Sequence, residues 1–366
     1  MRPGTFFFPG PTEVRKDVLG AMLRQPIPHR SAEFRELFAG VQRGLREVFR
    51  TVRPVYVATS SGTGMMEAAV RCSPRGKLLA LVNGGFAERF VTIAQACDRP
   101  VDRHDIPIGG VPDPDEVRSL LSRGAYTAIS LVHSETSTGA LSDIHAIARV
   151  AREAGVVVIV DSVSGIGGAE VEFDGWGLDC VLCASQKALA LPPGLAFAVA
   201  SDEFLRRASG ALGRGIYLDL LEYDSHSRND ETPTTPSVSL IFALAHQLSA
   251  ILREGVEARW ARHEAMRLTM EAWVVGTRDA LNMDIEILAR PGVRSPTLTA
   301  LALPAGIDAA SLVARIAERG YTIGAGYGTL SATTVRVGHM GDHTVADLAG
   351  CLAAIADSLE VLKQSS

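Results

Sequence analysis

The stretch that decides the fold is Gly155-Val-Val-Val-Ile-Val-Asp-Ser-Val163. Residues Val156 to Val160 are β-branched throughout, which suits an extended chain packed tightly on its neighbours. Gly155 closes the helical pattern of Ile144–Ala154 just before it. A strand that is apolar at every position, rather than at every second one, has no face to offer water. It belongs inside a sheet covered on both sides. Working outward, similar apolar runs stand at Val55–Ala58, Lys77–Val82, Ala128–Val132, Cys180–Ala184 and Ala196–Ala200. Helical patterns lie between them at Gly64–Cys72, Phe86–Ala96, Pro114–Ser122 and Ile144–Ala154. This alternation predicts an α/β fold with a mostly parallel sheet.

The texture changes near Arg228. Arg228-Asn-Asp-Glu-Thr-Pro-Thr-Thr-Pro236 is polar and proline-bearing, and fits neither a regular helix nor a central strand. A long helical pattern follows from Val238 to Leu281, with a break expected at Gly255. Strands are predicted at Thr297–Leu303 and Thr334–Val337, a helix between them at Ala309–Arg319, and a last helix over Val345–Lys363. The expected organisation is a large domain, 14–253, and a smaller α+β domain, 254–366, with segment 1–13 packing near the functional site.

The 366 residues carry a formal net charge of −5, with 47% hydrophobic and 21% charged residues. That composition excludes a disordered chain, and the lack of a basic excess argues against nucleic-acid or membrane-surface partners. The most apolar stretch, Ala188–Ala200, is too short to span a bilayer and is interrupted by Pro192, Pro193 and Gly194. The first ten residues hold only the apolar run Phe6–Phe8, so no secretory signal is expected. Five cysteines suit reduced thiols in a cytoplasmic protein.

Three segments carry chemistry, each directly after a predicted strand. Ser60-Ser-Gly-Thr-Gly64 opens a helix, whose unpaired N–H groups and positive dipole end suit a phosphate. It lacks the lysine of a Walker A loop and the spacing of a dinucleotide fingerprint. Taken alone it reads equally as a capped helix start. Asp161 ends the strongest strand, where a carboxylate is costly unless it meets a cation or several donors. Lys187, in Ser185-Gln-Lys-Ala-Leu-Ala190, stands alone in an apolar stretch, and a desolvated lysine is suited to Schiff-base chemistry. Phosphate donors, a buried acid and a buried lysine are the parts of a pyridoxal 5'-phosphate site.

At this point the chain resembles the class V aminotransferases of fold-type I, and within them the alanine/serine–glyoxylate group. The resemblance rests on an ordered set spanning nearly the whole chain: Pro9-Gly-Pro-Thr12, His29-Arg-Ser-Ala-Glu-Phe34, Val82-Asn-Gly-Gly-Phe86, Val132-His-Ser-Glu-Thr-Ser-Thr-Gly139, Val160-Asp-Ser-Val163, Ser185-Gln-Lys-Ala188, Pro192-Pro-Gly194, Tyr217-Leu-Asp-Leu220 and Val335-Arg-Val-Gly338. It implies a seven-stranded type of sheet sandwiched by helices. It implies that Lys187 is the Schiff-base lysine and moves the α-proton, and that Asp161 binds the pyridine nitrogen with Val163 beneath the ring. Ser61, Gly62, Thr63 and Gln186 would hold the phosphate, and Phe86 would stack where the family often has Trp or Tyr. Thr136 would lie near the ring's 3-oxygen and Arg336 would take the substrate α-carboxylate. In relatives the 229–236 loop crosses to the neighbouring subunit of a homodimer. Thr234 would be the residue contributed, and Glu231 stands where some relatives place a tyrosine.

The expected activity is ping-pong transfer of an amino group from a small amino acid, alanine or serine, to glyoxylate or pyruvate. The alternatives are a 2-aminoethylphosphonate–pyruvate aminotransferase, a cysteine desulfurase-like lyase, and a cofactor-binding protein without turnover. A desulfurase would need a nucleophilic cysteine on a mobile loop, whereas Cys351 lies in a helical pattern. Cys180-Val-Leu-Cys183 is read as alternate burial along a strand, and His339 and His343 are separated by Gly341, so no metal is expected. His133 and His246 are assigned local hydrogen bonds, and Tyr321–Gly328 a glycine-rich loop facing the site.

Overall fold

The valine run forms the middle of the main sheet. The computed structural model describes residues 4–365. In chain order its first strands are β1 (Tyr56–Thr59), β2 (Lys77–Val82), β3 (Val101–Asp105), β4 (Tyr126–Val132), the short pair β5 (Ser134–Glu135) and β6 (Ala140–Leu141), β7 (Val157–Asp161), β8 (Cys180–Ala184) and β9 (Leu195–Ala200). The helices around them are α1 (Lys16–Ala21), α2 (Ala32–Phe49), α3 (Gly62–Cys72), α4 (Glu88–Ala96), α5 (Pro114–Arg123), α6 (Ile144–Glu153), α7 (Asp202–Ala208), α8 (Leu220–Ser227), α9 (Val238–Glu254) and α10 (Val256–Leu281). The sheet has seven strands in the order β1-β9-β8-β7-β4-β2-β3. All its pairs are parallel except those made by β9, which runs against both β1 and β8.

Alternation along β7 divides the core. Val158 and Val160 enter one buried cluster with residues of α2, α6 and α9. Val157 and Ile159 enter another, with α3 and α4. The second face is lined by Ala58, Ala80, Ala128, Ala196 and Ala198. These small side chains let α3 and α4 pack close to the strands. The same alternation explains the two cysteines of β8, since Cys180 lies in one cluster and Cys183 in the other. Their sulfurs point to opposite faces of the sheet.

The long helical pattern does break at Gly255, which adopts φ +88° between α9 and α10. Beyond α10 come β10 (Glu286–Ile287), β11 (Thr299–Ala302), α11 (Ala309–Glu318), β12 (Gly324–Ala325), β13 (Thr334–Val337) and α12 (Val345–Ser365). Their strands form an antiparallel sheet, β10-β11-β13-β12. Met266, Met270 and Val274 of α10 join Leu312, Ile316, Leu348 and Ile355 in a third cluster with Phe7. Phe7 is tied to this region through its backbone: its N–H donates to Thr322 O at 2.8 Å and its carbonyl accepts from Gly338 N–H at 2.7 Å. Of the 1–13 segment, residues 1–3 lie outside the described residues. No helix among the described residues is long and apolar enough to cross a membrane.

Candidate active site

Strands β1, β2, β4, β7 and β8 run in the same direction, so the segments leaving them meet at one edge of the sheet, where open α/β sheets bind ligands. A cavity of about 280 Å³ lies there, lined by Ser61, Gly62 and Thr63 after β1, Phe86 after β2, Thr136 after β4, Asp161 and Val163 of the β7 end, and Gln186 and Lys187 after β8. The turn after β1 is tight. Ser61 is the N-cap of α3 and makes no side-chain capping bond, which leaves the first N–H groups of the helix for a ligand. A Cβ on Gly62 would stand 2.8 Å from Val163 Cγ2, so only glycine lets α3 begin this close to the end of β7.

Lys187 is buried, with its Nζ donating to the Pro9 carbonyl and lying 5.9 Å from the centroid of the Phe86 ring. Gly10 is required beside it. Gly10 has φ +109°, and a Cβ there would come within 2.4 Å of Lys187 Cε and Nζ. Burial, seconded by the charge of Arg336, lowers the lysine to about 8 although Asp161 and Glu135 pull it back up. Asp161 is only 4% exposed. Burial pushes its carboxyl up to about 6 against the hydrogen bond that its Oδ1 accepts from Val163 N–H at 2.8 Å. Arg336, on β13, donates from Nε to Ala325 O at 2.9 Å and from Nη1 to Thr136 O at 3.3 Å. Burial holds it below its ordinary value. Thr136 pairs its hydroxyl with Ser164 at 2.6 Å.

Three residues that the sequence reading left out of the site now enter it. Glu135 is fully buried and accepts hydrogen bonds from the N–H groups of Phe86, Ala87 and Ser137 and from the Ser137 hydroxyl. Arg89 lines the cavity and donates to Thr63 Oγ1 at 2.9 Å. Tyr327 stacks on Phe86 with ring centroids 5.0 Å apart and lies beneath the Arg336 guanidinium. The glycine-rich loop therefore faces the site. For Glu135 a signal existed, an acid directly after an apolar strand. For Arg89 none did.

Thr234 is not among the residues that line this cavity. Its loop is fastened within the chain. Arg35 binds Glu231 through Nε at 2.8 Å, and Arg30 donates to the carbonyls of Thr232, at 2.7 Å, and Pro233, at 3.2 Å. Arg35 holds the Glu231 carboxyl below its usual range. His133 bonds Ser162 Oγ and His246 pairs with Asp17, as local roles require. A second cavity, about 590 Å³, is lined by Trp176, Trp260, Arg267 and Arg294. Both arginines are already paired with Glu271.

The family model for aminotransferase class-V matches residues 13–340. The chain belongs to the class-V aminotransferase family. It is 34% identical over 362 residues to an aminotransferase of Methanocaldococcus jannaschii, covering 97% of this chain and 92% of that one. It is 32% identical to the serine–glyoxylate aminotransferase of Methylorubrum extorquens, over 98% of this chain and 92% of the other. Among solved structures it is similar to an aspartate aminotransferase of subgroup IV from Thermus thermophilus. That likeness has a TM-score of 0.87 at 33% identity and covers 98% and 99% of the two chains. The fold is that of the fold-type I aminotransferases, as the ordered motifs implied, and the enzyme transfers amino groups.

Proposed function

We propose that this aminotransferase uses pyridoxal 5'-phosphate to move an amino group from a small amino acid, alanine or serine, to glyoxylate or pyruvate by ping-pong turnover. The observation that carries this reading is the convergence of Asp161, Lys187 and the α3 N-terminus on one cavity. The residues present fit the cofactor. The α3 N-terminus is left without a side-chain cap by Ser61, which suits a phosphate, and the buried Asp161 and Lys187 line the same cavity.

Ser61, Gly62, Thr63 and Gln186 hold the phosphate, with Thr234 contributed by the neighbouring subunit of a homodimer. Asp161 would pair with the pyridine nitrogen, Phe86 and Val163 would pack on the ring, and Thr136 would lie by its 3-oxygen. When bound, the cofactor would supply an electron-accepting ring and a carbonyl carbon that takes up the amino group between the two half-reactions. Lys187 Nζ would hold the cofactor through its carbonyl carbon and would serve as the base that moves the proton at the substrate α-carbon. At about 8 its proton affinity is close to that of the medium, so the nitrogen can both take and return a proton. Arg336 binds the α-carboxylate with its planar fork, which sets the angle of the α C–H bond. Residues 14–253 supply the cofactor groups and 254–366 bring Arg336. The buried free thiols of Cys180, Cys183 and Cys351 suit a cytoplasmic protein.

The test is direct. Purified protein with added cofactor is given alanine, serine or aspartate with glyoxylate, pyruvate or 2-oxoglutarate, and the new amino acid is measured. Transfer from alanine or serine to glyoxylate or pyruvate is expected. Lys187→Ala should retain cofactor and lose turnover by roughly 10²–10⁴-fold. No transfer with any pair sinks the reading.

A further inference from the structure

We infer that Arg89 is a cofactor-positioning residue: it fixes the direction of the Thr63 hydroxyl and supplies the permanent positive charge that faces the phosphate. The inference rests on the reading of the cavity as a pyridoxal phosphate site. It starts from charge. A phosphate ester carries close to two negative charges at neutral pH, while Ser61, Gly62, Thr63, Gln186 and Thr234 are neutral donors. The α3 N-terminus adds roughly half a positive charge. Of the two cations lining the cavity, Arg89 and Lys187, the lysine nitrogen is committed to the cofactor carbonyl. Arg336 is turned towards the Ala325 and Thr136 carbonyls. Among the described residues that line the cavity, Arg89 is the cation that remains.

Its geometry gives the charge a direction. A guanidinium has donors and no acceptor, so in the 2.9 Å bond between Arg89 Nη1 and Thr63 Oγ1 the hydroxyl oxygen must accept. The single hydroxyl hydrogen of Thr63 is then released towards an acceptor in the cavity that Thr63 lines. The anion sought by the helix N-terminus is such an acceptor. Arg89 is held for this task from its base. Its guanidinium lies 5.0 Å from the Phe86 ring centroid, and Glu135 pins the Phe86 and Ala87 N–H groups from which α4 departs. Helix stability does not explain the placement, because a cation in the first turn of α4 stands at the unfavourable end of the dipole.

The experiment compares two ligands that differ only in the phosphate. Equilibrium affinities of the full-length, cofactor-free protein for pyridoxal phosphate and for pyridoxal are measured by absorbance and fluorescence titration. The proteins are wild type, Arg89→Met, Arg89→Lys, Thr63→Val and the Arg89→Met/Thr63→Val double variant. Arg89→Met should weaken pyridoxal phosphate about tenfold to hundredfold and leave pyridoxal unchanged. Arg89→Lys should recover part of the loss, and the double variant should lose less than the product of the single effects. Equal weakening of both ligands by Arg89→Met would assign the residue a structural role and overturn the inference. So would an unchanged pyridoxal phosphate affinity accompanied by a higher KM for aspartate than for alanine, which would place Arg89 on the substrate side chain. If wild type itself binds pyridoxal phosphate no better than pyridoxal, the cofactor reading fails as a whole, and that result is separate from either outcome at Arg89.

Discussion

Replacing Asp161 with asparagine should make the cofactor-free protein more stable while making it a worse enzyme. Asp161 is buried and its carboxyl rises from 3.8 to about 6, chiefly because burial disfavours the charge. At about 1.4 kcal/mol per tenfold change in proton affinity, that difference is worth about 3 kcal/mol. The sign follows from proton counting. Between pH 3.8 and about 6 the folded chain holds a proton that the unfolded chain has released, so stability falls as pH rises through this window. Below it the cost is absent, and above about 6 it is complete. Asparagine can still accept from Val163 N–H and carries no charge to bury. Asp161→Asn should therefore match wild type near pH 4 and exceed it by about 3 kcal/mol at pH 7.

Lys187 adds a second inflection. Its charge pulls Asp161 down, so when Lys187 loses its proton near pH 8 the cost of ionised Asp161 grows and the gap between the two proteins widens again. Urea unfolding of cofactor-free wild type and Asp161→Asn, followed by tryptophan fluorescence from pH 4 to 9, measures the difference directly. Titrating groups that do not interact with Asp161 are shared and cancel. With cofactor bound the order should reverse, because a cationic pyridine nitrogen supplies the partner that the carboxylate lacks. An asparagine variant less stable than wild type at pH 8, or a difference that ignores pH, would refute the argument.

Two other substitutions probe single contacts. Arg336→Lys keeps the charge and loses the two-pronged fork, so KM for α-amino acids should rise roughly tenfold to hundredfold, while an amine donor without an α-carboxylate should be unaffected; equal losses for both donors would remove Arg336 from carboxylate binding. Gly62→Ala places a Cβ 2.8 Å from Val163 Cγ2 and should destabilise the fold by about 1–3 kcal/mol. Adding Val163→Ala should restore most of that in thermal unfolding, and no restoration would mean that the clash lies elsewhere.

What the sequence made legible was whatever had a local signature. β2 and β13 fall at the expected residues, 77–82 and 334–337: β2 is apolar after Lys77, and in β13 Val335 and Val337 alternate with Thr334 and Arg336. β3 was passed over. Its Val-Asp-Arg-His-Asp sequence pairs with β2 alone, and an edge strand exposed to water carries no apolar signal. The helix α2, amphipathic and capped by Ser31, is likewise absent from the expected elements, although its first residues lie within His29–Phe34. In the site, Asp161 and Lys187 were legible because each breaks an apolar run with a charge. Arg89 was not, because its meaning lies in Thr63, 26 residues earlier. Glu135 likewise acquires its role from Phe86 and Ala87, 49 and 48 residues away.

Glu135 shows how the fold and the site share one cost. A buried carboxylate is expensive unless several donors surround it, and here three backbone N–H groups and a hydroxyl do so. Those bonds set the start of α4, and with it the Phe86 ring and the Arg89 arm. The charge they stabilise then acts across the cavity, favouring ionised Lys187 and Arg336 and disfavouring ionised Asp161. Counting these groups when ionised, Arg89, Lys187 and Arg336 against Asp161 and Glu135, three cations less two anions leave the site at +1. The chain as a whole stands at −5. An acidic protein can thus take an anionic cofactor and an anionic substrate, because the positive charge is concentrated at the carboxyl edge of the sheet. Overall charge, which argued against polyanion partners, carries no information about a ligand held by so few groups.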